Sequence, residues 1–137
     1  MTHDIRRVDY FYTTVQDRPG EALRFLSALR EIGVNLLAFT AIPVGLHQTQ
    51  LTMFPDDPAR LKEEGRKSGF SLDGPHPAFL VQGPDAPGAL VDIHERLYQS
   101  GLNVYASTGV SDGEGRFGYI LYVRPGDFEA AAEALGI

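Results

Sequence analysis

The chain has 137 residues, 43% of them hydrophobic and 22% charged, and its 18 acidic and 12 basic side chains give a formal net charge of −6. That apolar share excludes a disordered tail, and the absence of cysteine excludes a disulfide scaffold, a thiolate nucleophile and a cysteine metal site. The acidic balance argues against nucleic acid as a partner, and no run approaches the 18 or more apolar residues of a membrane span.

The start, Met1-Thr2-His3-Asp4-Ile5-Arg6-Arg7, has no apolar stretch and no small-residue cleavage site, so a cytoplasmic protein is expected. From Arg7 to Val15 the chain is rich in Val, Tyr, Phe and Thr, which predicts a strand. Tyr10, Tyr12 and Thr14 alternate with Phe11, Thr13 and Val15. Both faces of that strand therefore carry bulky groups, and the second face is expected to be covered. After a Pro-Gly turn, Ala22, Phe25, Leu26, Leu29 and Ile32 recur at helical spacing, and Gly33 ends the helix. Asn35 to Pro43 and Leu46 to Phe54 read as strands, hinged at Gly45. Pro58 opens a short polar helix reaching about Ser68, and Phe70-Ser71-Leu72 is the candidate fourth strand.

The pattern then begins again. Pro77 to Gln82 is a strand, and Leu90, Ile93 and Leu97 form a helical stripe capped by Gly101. Asn103 to Val110 is a strand, Ser111 to Gly115 a hairpin connection, and Phe117, Tyr119, Leu121 and Val123 alternate on a third strand. Phe128 to Leu135 is the last helix. Pro19-Gly20 recurs 68 residues later as Pro87-Gly88, and Gly33-Val34-Asn35-Leu36 as Gly101-Leu102-Asn103-Val104 at the same offset. Thr40, Gly45 and Phe54 keep it with Thr108, Gly113 and Tyr122. Before the Pro-Gly the offset is 66, since Val15-Gln16 matches Val81-Gln82, so the second copy carries two extra residues in that loop.

A constant offset across a turn, a cap and a strand predicts a duplication. The expected fold class is α+β, with two ferredoxin-like βαββαβ repeats, 1–74 and 75–137, of antiparallel strands with helices on one face. The second repeat has no sequence left for a last strand, which leaves the edge of Pro77 to Gln82 open unless something adds to it.

The stretch Val15-Gln16-Asp17-Arg18-Pro19-Gly20-Glu21-Ala22-Leu23, followed by an amphipathic helix and Gly33-Val34-Asn35-Leu36, resembles an ACT domain. Val81-Gln82-Gly83-Pro84-Asp85-Ala86-Pro87-Gly88-Ala89-Leu90, followed by Gly101-Leu102-Asn103-Val104, resembles a second. The resemblance runs from about Val8 to Leu135. It implies a tandem ACT protein of ACT-type repeats, regulatory modules that bind amino acids or similar small ligands and usually pair. A homodimer is the implied assembly, with a separate enzyme as the partner it regulates.

The turn has its own physics. A strand that turns straight into a helix aims the helix's free N–H groups and positive dipole end at the turn, where a ligand carboxylate fits. Gly20 and Gly88 let a ligand approach the backbone. Asp17 or Asp85 can meet an ammonium, and Asn35 and Asn103 offer a donor and an acceptor at the start of the second strand. The resemblance carries the binding role to Asp17, Arg18, Pro19, Gly20, Glu21, Ala22 and Asn35, and to Asp85, Ala86, Pro87, Gly88, Ala89 and Asn103. The same residues also make a good turn and helix start, with Asp capping and Pro presetting φ, and Asn after a helix-ending glycine is a common turn residue.

No other chemistry stands out. His3, His47, His76 and His94 have no ligand spacing, so no metal and no cofactor are expected. Asp56-Asp57 and Glu63-Glu64 share the second helix region with Arg60, Lys62, Arg66 and Lys67, a mixed solvated face. Three readings remain. One is a non-catalytic amino-acid sensor, one a structural dimerisation module without ligand, and one a glyoxalase-like metal enzyme, which would need His and Glu on strands such as Phe117 to Val123.

Overall fold

The structure is a computed structural model and describes residues 3–137. Its elements in chain order are β1 (Asp4–Gln16), α1 (Glu21–Glu31), β2 (Leu36–Pro43), β3 (Gln48–Pro55), α2 (Pro58–Lys67), β4 (Asp73–Pro84), α3 (Val91–Gln99), β5 (Ala106–Ser111), β6 (Arg116–Tyr122) and α4 (Phe128–Ala134), with a single 3-10 turn at Pro125–Asp127. Two compact units result: Asp9–His76, and Pro77–Ile137 together with the chain up to Val8.

In the unit Asp9–His76 the strand order is β2-β3-β1-β4, with β4 contributing its first residues. β3 runs antiparallel to both neighbours, pairing Gln48 with Gln16 of β1 and Pro55 with Leu36 of β2. Phe11, Leu51 and Met53 face Phe25 and Leu29 of α1 and Leu61 of α2 in one buried cluster. Each such side chain contributes about 1.5–3 kcal/mol by leaving water. The two helices are fixed differently. Asp57 accepts the backbone N–H of Arg60 at 3.1 Å and Pro58 opens α2, whereas α1 starts on Gly20 with no side-chain cap. On the sheet face away from the helices, Phe54 is fully buried and Thr52 is 6% exposed, whereas Tyr10 and Tyr12 of β1 are half-buried and Thr14 is exposed, so that face is covered only in part.

The fourth strand of this unit lies later than expected. Phe70 and Leu72 are not strand; they pack on the helix-facing core, and the strand starts at Asp73. Asp73-Gly-Pro-His76 is poor in strand formers, which hid it from the sequence. Side chains hold it instead. Asp73 accepts hydrogen bonds from Tyr12 of β1 and from His76 Nε2 at 2.8 Å, and these hold its carboxyl below the usual carboxylate range. His76 stacks on Tyr12 with ring centroids 5.5 Å apart. A side chain at Gly74 would lie 2.7 Å from the Tyr10 carbonyl oxygen, so the two backbones approach as only glycine permits.

The second unit has the order β1-β4-β6-β5, with β1 contributing only Asp4–Val8. β6 pairs antiparallel with β4 and β5, setting Arg116 against Pro84 and Phe117 against Ser111. Phe79, Val81, Tyr119 and Leu121 pack on Ile93 and Leu97 of α3, on Phe128 and Ala131 of α4 and on Leu135 just after it. No strand follows α4, as the sequence predicts, and the edge of Pro77–Gln82 is covered by an added segment. The open side of β4 is taken by Asp4–Val8, whose Ile5 packs on the same core. Arg7 anchors the segment by a two-pronged contact to Glu129, at 2.9 and 3.2 Å, and by lying 5.6 Å from the Phe128 ring centre. Phe128 itself stacks on Phe79 of β4, centroids 4.4 Å apart.

The backbone bonds of the two units match at the 68-residue offset. Asp17 N–H donates to His47 O and Asp85 N–H to Gly115 O, both at 2.8 Å. Val34 N–H donates to Leu29 O as Leu102 N–H does to Leu97 O, and Gly33 N–H to Arg30 O as Gly101 N–H to Tyr98 O.

Removing the chain up to Val8 is expected to speed amide exchange on β4 from Phe79 to Gln82, because its free side loses the covering strand. Unchanged protection there would contradict the assignment of Asp4–Val8 to this sheet.

Candidate functional site

The first turn joins β1 to α1 and carries ion pairs of its own. Gly20 has φ +91°, a left-handed conformation that frees the chain to enter the helix at once, and Arg24 N–H donates to its carbonyl. Glu21, the first residue of α1, is only 8% exposed. Its Oε1 accepts from Arg18 Nε at 2.6 Å and its Oε2 from Arg24 Nη2 at 2.7 Å. The Arg24 and Arg18 hydrogen bonds hold the Glu21 carboxyl below its ordinary value of 4.5. Asp17, Pro19 and Ala22 complete the turn, and the Asp17 N–H is spent on His47 O.

The second turn joins β4 to α3 and is open. Ala89 N–H donates to Ala86 O and Val91 N–H to Gly88 O, both at 3.0 Å, so two tight backbone turns lead into the helix. Gly88 has φ +76°. A cavity of about 470 Å³ lies here. From the turn it is lined by Asp85, Ala86, Gly88 and Ala89, and from the start of α3 by Leu90 and Val91. β5 adds Gly109, Val110 and Ser111, and β6 adds Phe117 and Gly118. Pro87 sits within the same turn.

The hairpin behind this cavity is well held. Asp112 accepts the N–H groups of Glu114 at 2.7 Å and Arg116 at 3.1 Å, which lowers its carboxyl from the ordinary value. Ser111 Oγ accepts the Gly113 N–H at 3.2 Å. The Asp85 to Gly115 backbone bond then ties the hairpin to the turn.

Neither asparagine is at its turn. Asn35 precedes Leu36, which pairs with Pro55, whereas the first turn follows Gln16, which pairs with Gln48. The eight residues of β3 therefore separate them, roughly 25 Å along the strand. There Asn35 and Asp56 bond through Asn35 N–H to Asp56 Oδ1 at 3.2 Å and Asp56 N–H to Asn35 O at 2.9 Å. Asn103 likewise precedes Ala106, which pairs with Tyr122, while Ser111 and Pro84 meet Phe117 and Arg116 at the other end of β6. The expectation that the asparagines sit beside the Pro-Gly turns is corrected: a helix returns the chain to the opposite end before the next strand begins. The end of β5 reaches the second turn instead. Its signal in the sequence was Gly109, a glycine within a strand, which marks close approach.

The histidines are dispersed. His76 sits in a strand, His94 Nε2 is 2.7 Å from the Tyr119 hydroxyl, and both ring nitrogens of His3 are buried without a hydrogen-bond partner. Among the described residues, no helix is long and apolar enough to cross a membrane.

Solved structures share this architecture. Protein BT0572 from Bacteroides thetaiotaomicron superposes with a TM-score of 0.80 at 15% identity, over 96% of this chain and 88% of its own. The regulatory subunit of aspartate kinase from Thermus thermophilus, in a ligand-free form, gives 0.64 at 17% identity over 97% and 93%. Its counterpart from Thermus flavus gives 0.53 at 20% identity over 98% and 93%. The fold is ACT-like. The two Thermus proteins are regulatory subunits by name, and at such identities the likeness concerns the fold alone. No family profile and no curated protein matches the sequence.

Glu21→Gln is expected to lower the melting temperature at neutral pH. A carboxyl whose folded pKa is depressed stabilises the fold above its unfolded value, and that contribution is lost as pH falls through the folded pKa. The difference between the two proteins should therefore shrink as pH drops below 4.5. A difference independent of pH would contradict the ionic role.

Proposed function

We propose that this chain is a regulatory sensor that binds an amino acid, or a similar small zwitterion, at a strand-to-helix turn and has no catalytic activity of its own. The observation that carries the reading is the cavity of about 470 Å³ at the turn between β4 and α3, set in an ACT-like fold. Its size falls within the range of small-molecule sites. The ligand carboxylate would face the positive end of the α3 dipole, and its ammonium would face Asp85. Its side chain would lie on Leu90, Val91 and Phe117. Ala86, Pro87, Gly88 and Ala89 shape the backbone around it.

The chain is read as two ACT-type repeats, 1–74 and 75–137, the second completed by Asp4–Val8 from the start of the chain. The matched backbone bonds at the 68-residue offset support this reading. The output is read as a contact with a separate enzyme in the cytoplasm, in line with the regulatory subunits that share the fold. Pairing of two copies is supported by exposed apolar residues of the second unit: Val91 is 62% exposed, Tyr98 82% and Val110 71%. The same residues favour the alternative of a dimerisation module without ligand.

Thermal melts with each of the twenty amino acids at millimolar concentration separate the two. A ligand present at a hundredfold excess over its Kd adds about 2.7 kcal/mol of stability and raises the melting temperature by several degrees. Ser111→Leu should remove that shift by filling the cavity, while the unliganded protein still melts cooperatively. No shift with any amino acid contradicts the sensor and favours the dimerisation module.

A further inference from the structure

Behind their turns the two units carry different side chains in equivalent places. At the 68-residue offset, Leu26, Ala41 and Leu51 of the unit Asp9–His76 correspond to His94, Gly109 and Tyr119 of the second unit. The frame around them is the same. Ala41 pairs with Leu51 across β2 and β3, as Gly109 pairs with Tyr119 across β5 and β6. Leu26 lies on α1 as His94 lies on α3.

The three residues of the second unit fit one another. A Cβ at Gly109 would lie 3.0 Å from Tyr119 Cδ1, tighter than ordinary contact, so the glycine makes room for the ring. Tyr119 is 5% exposed, and a hydroxyl drawn so far from water needs a partner. His94 supplies it, with Nε2 2.7 Å from the Tyr119 oxygen. Leu26 and Leu51 have no group for such a bond, and Ala41 carries the carbon that Gly109 lacks.

That bond joins the two walls of the cavity of about 470 Å³. Leu90 and Val91 form one wall, and the His94 N–H donates to Leu90 O one helical turn back. Gly109 of β5 and Phe117 and Gly118 of β6 belong to the other, and Tyr119 ties these two strands by covering Gly109. We propose that His94 and Tyr119 are positioning residues: their hydrogen bond is a strut that fixes the spacing of α3 from the β5–β6 hairpin, and with it the fit of whatever the cavity binds, a role that rests on the sensor reading above.

Two measurements on the intact chain test the strut. Nitrogen-15 NMR of the imidazoles reads the bond with no ligand present. Tyr119→Phe keeps the ring on Gly109 and removes only the hydroxyl, so the His94 Nε2 signal should move while those of His47 and His76 stay in place. Thermal melts with each of the twenty amino acids then read the fit. For those that stabilise the native chain, Tyr119→Phe and His94→Leu should each weaken apparent affinity about tenfold, as expected for one lost hydrogen bond, with both variants still melting cooperatively. His94→Gln keeps a polar side chain there and should recover affinity to within about threefold of the native chain. Should Tyr119→Phe not fold, His94→Leu, an exposed position, carries the test. A His94 signal unmoved by Tyr119→Phe overturns the bond. Full affinity in both variants, even with a lowered melting temperature, overturns the positioning role, as does a His94→Gln chain no better than His94→Leu. No shift with any amino acid overturns the sensor reading and the positioning role with it, even where the NMR signal moves.

Discussion

A strand inside a sheet has backbone donors and acceptors on both sides, and each must find a partner. From Pro77 onward, β4 meets that requirement on one side with β6 and on the other with Asp4–Val8, the segment that opens β1. The rest of the second unit depends on this. Phe79 and Val81 can point into the core only if β4 is held flat between two neighbours, and the turn after Pro84 is placed by the same strand. Arg7, clasped by Glu129 and lying against Phe128, fastens the covering strand to α4, so the helix layer and the sheet edge are tied together.

The open turn is a consequence of that frame. Its walls come from the turn after β4, from the start of α3 and from the far end of β5, and the hairpin locked by Asp112 fixes their spacing. Rigidity of this kind favours binding, because little conformational freedom is left to lose when a ligand arrives. The first turn starts from the same backbone and reaches a different state. Glu21, where the second unit has Ala89, is held there by Arg18 and Arg24.

The sequence made the helices and turns legible because their signals are local. The apolar stripe of Phe25 and Leu29, the repeated Pro-Gly and the helix-ending glycines each act over a few residues. The parts it did not reveal depend on distant partners. Ile5-Arg6-Arg7 reads as a polar lead-in until α4 is set beside it. Asp73 to His76 reads as a linker until Tyr12 is placed opposite. The asparagines looked adjacent to the turns because the chain reads as a line. α1 and α3 carry it to the other end of each sheet, so Asn35 meets Asp56 and the second turn gains Gly109 to Ser111 instead. The loop extended by two residues marked the second turn as different from the first, but only the ion pairs of Glu21 give that difference a physical meaning.

The most direct measurement is a nitrogen-15 NMR titration of the intact chain with the amino acid that raises its melting temperature most. The account predicts shifted amides at Asp85 to Val91 and at Gly109 to Ser111, with Arg18 to Ala22 unmoved. Shifts concentrated at Arg18 to Ala22, with the second turn silent, would contradict it.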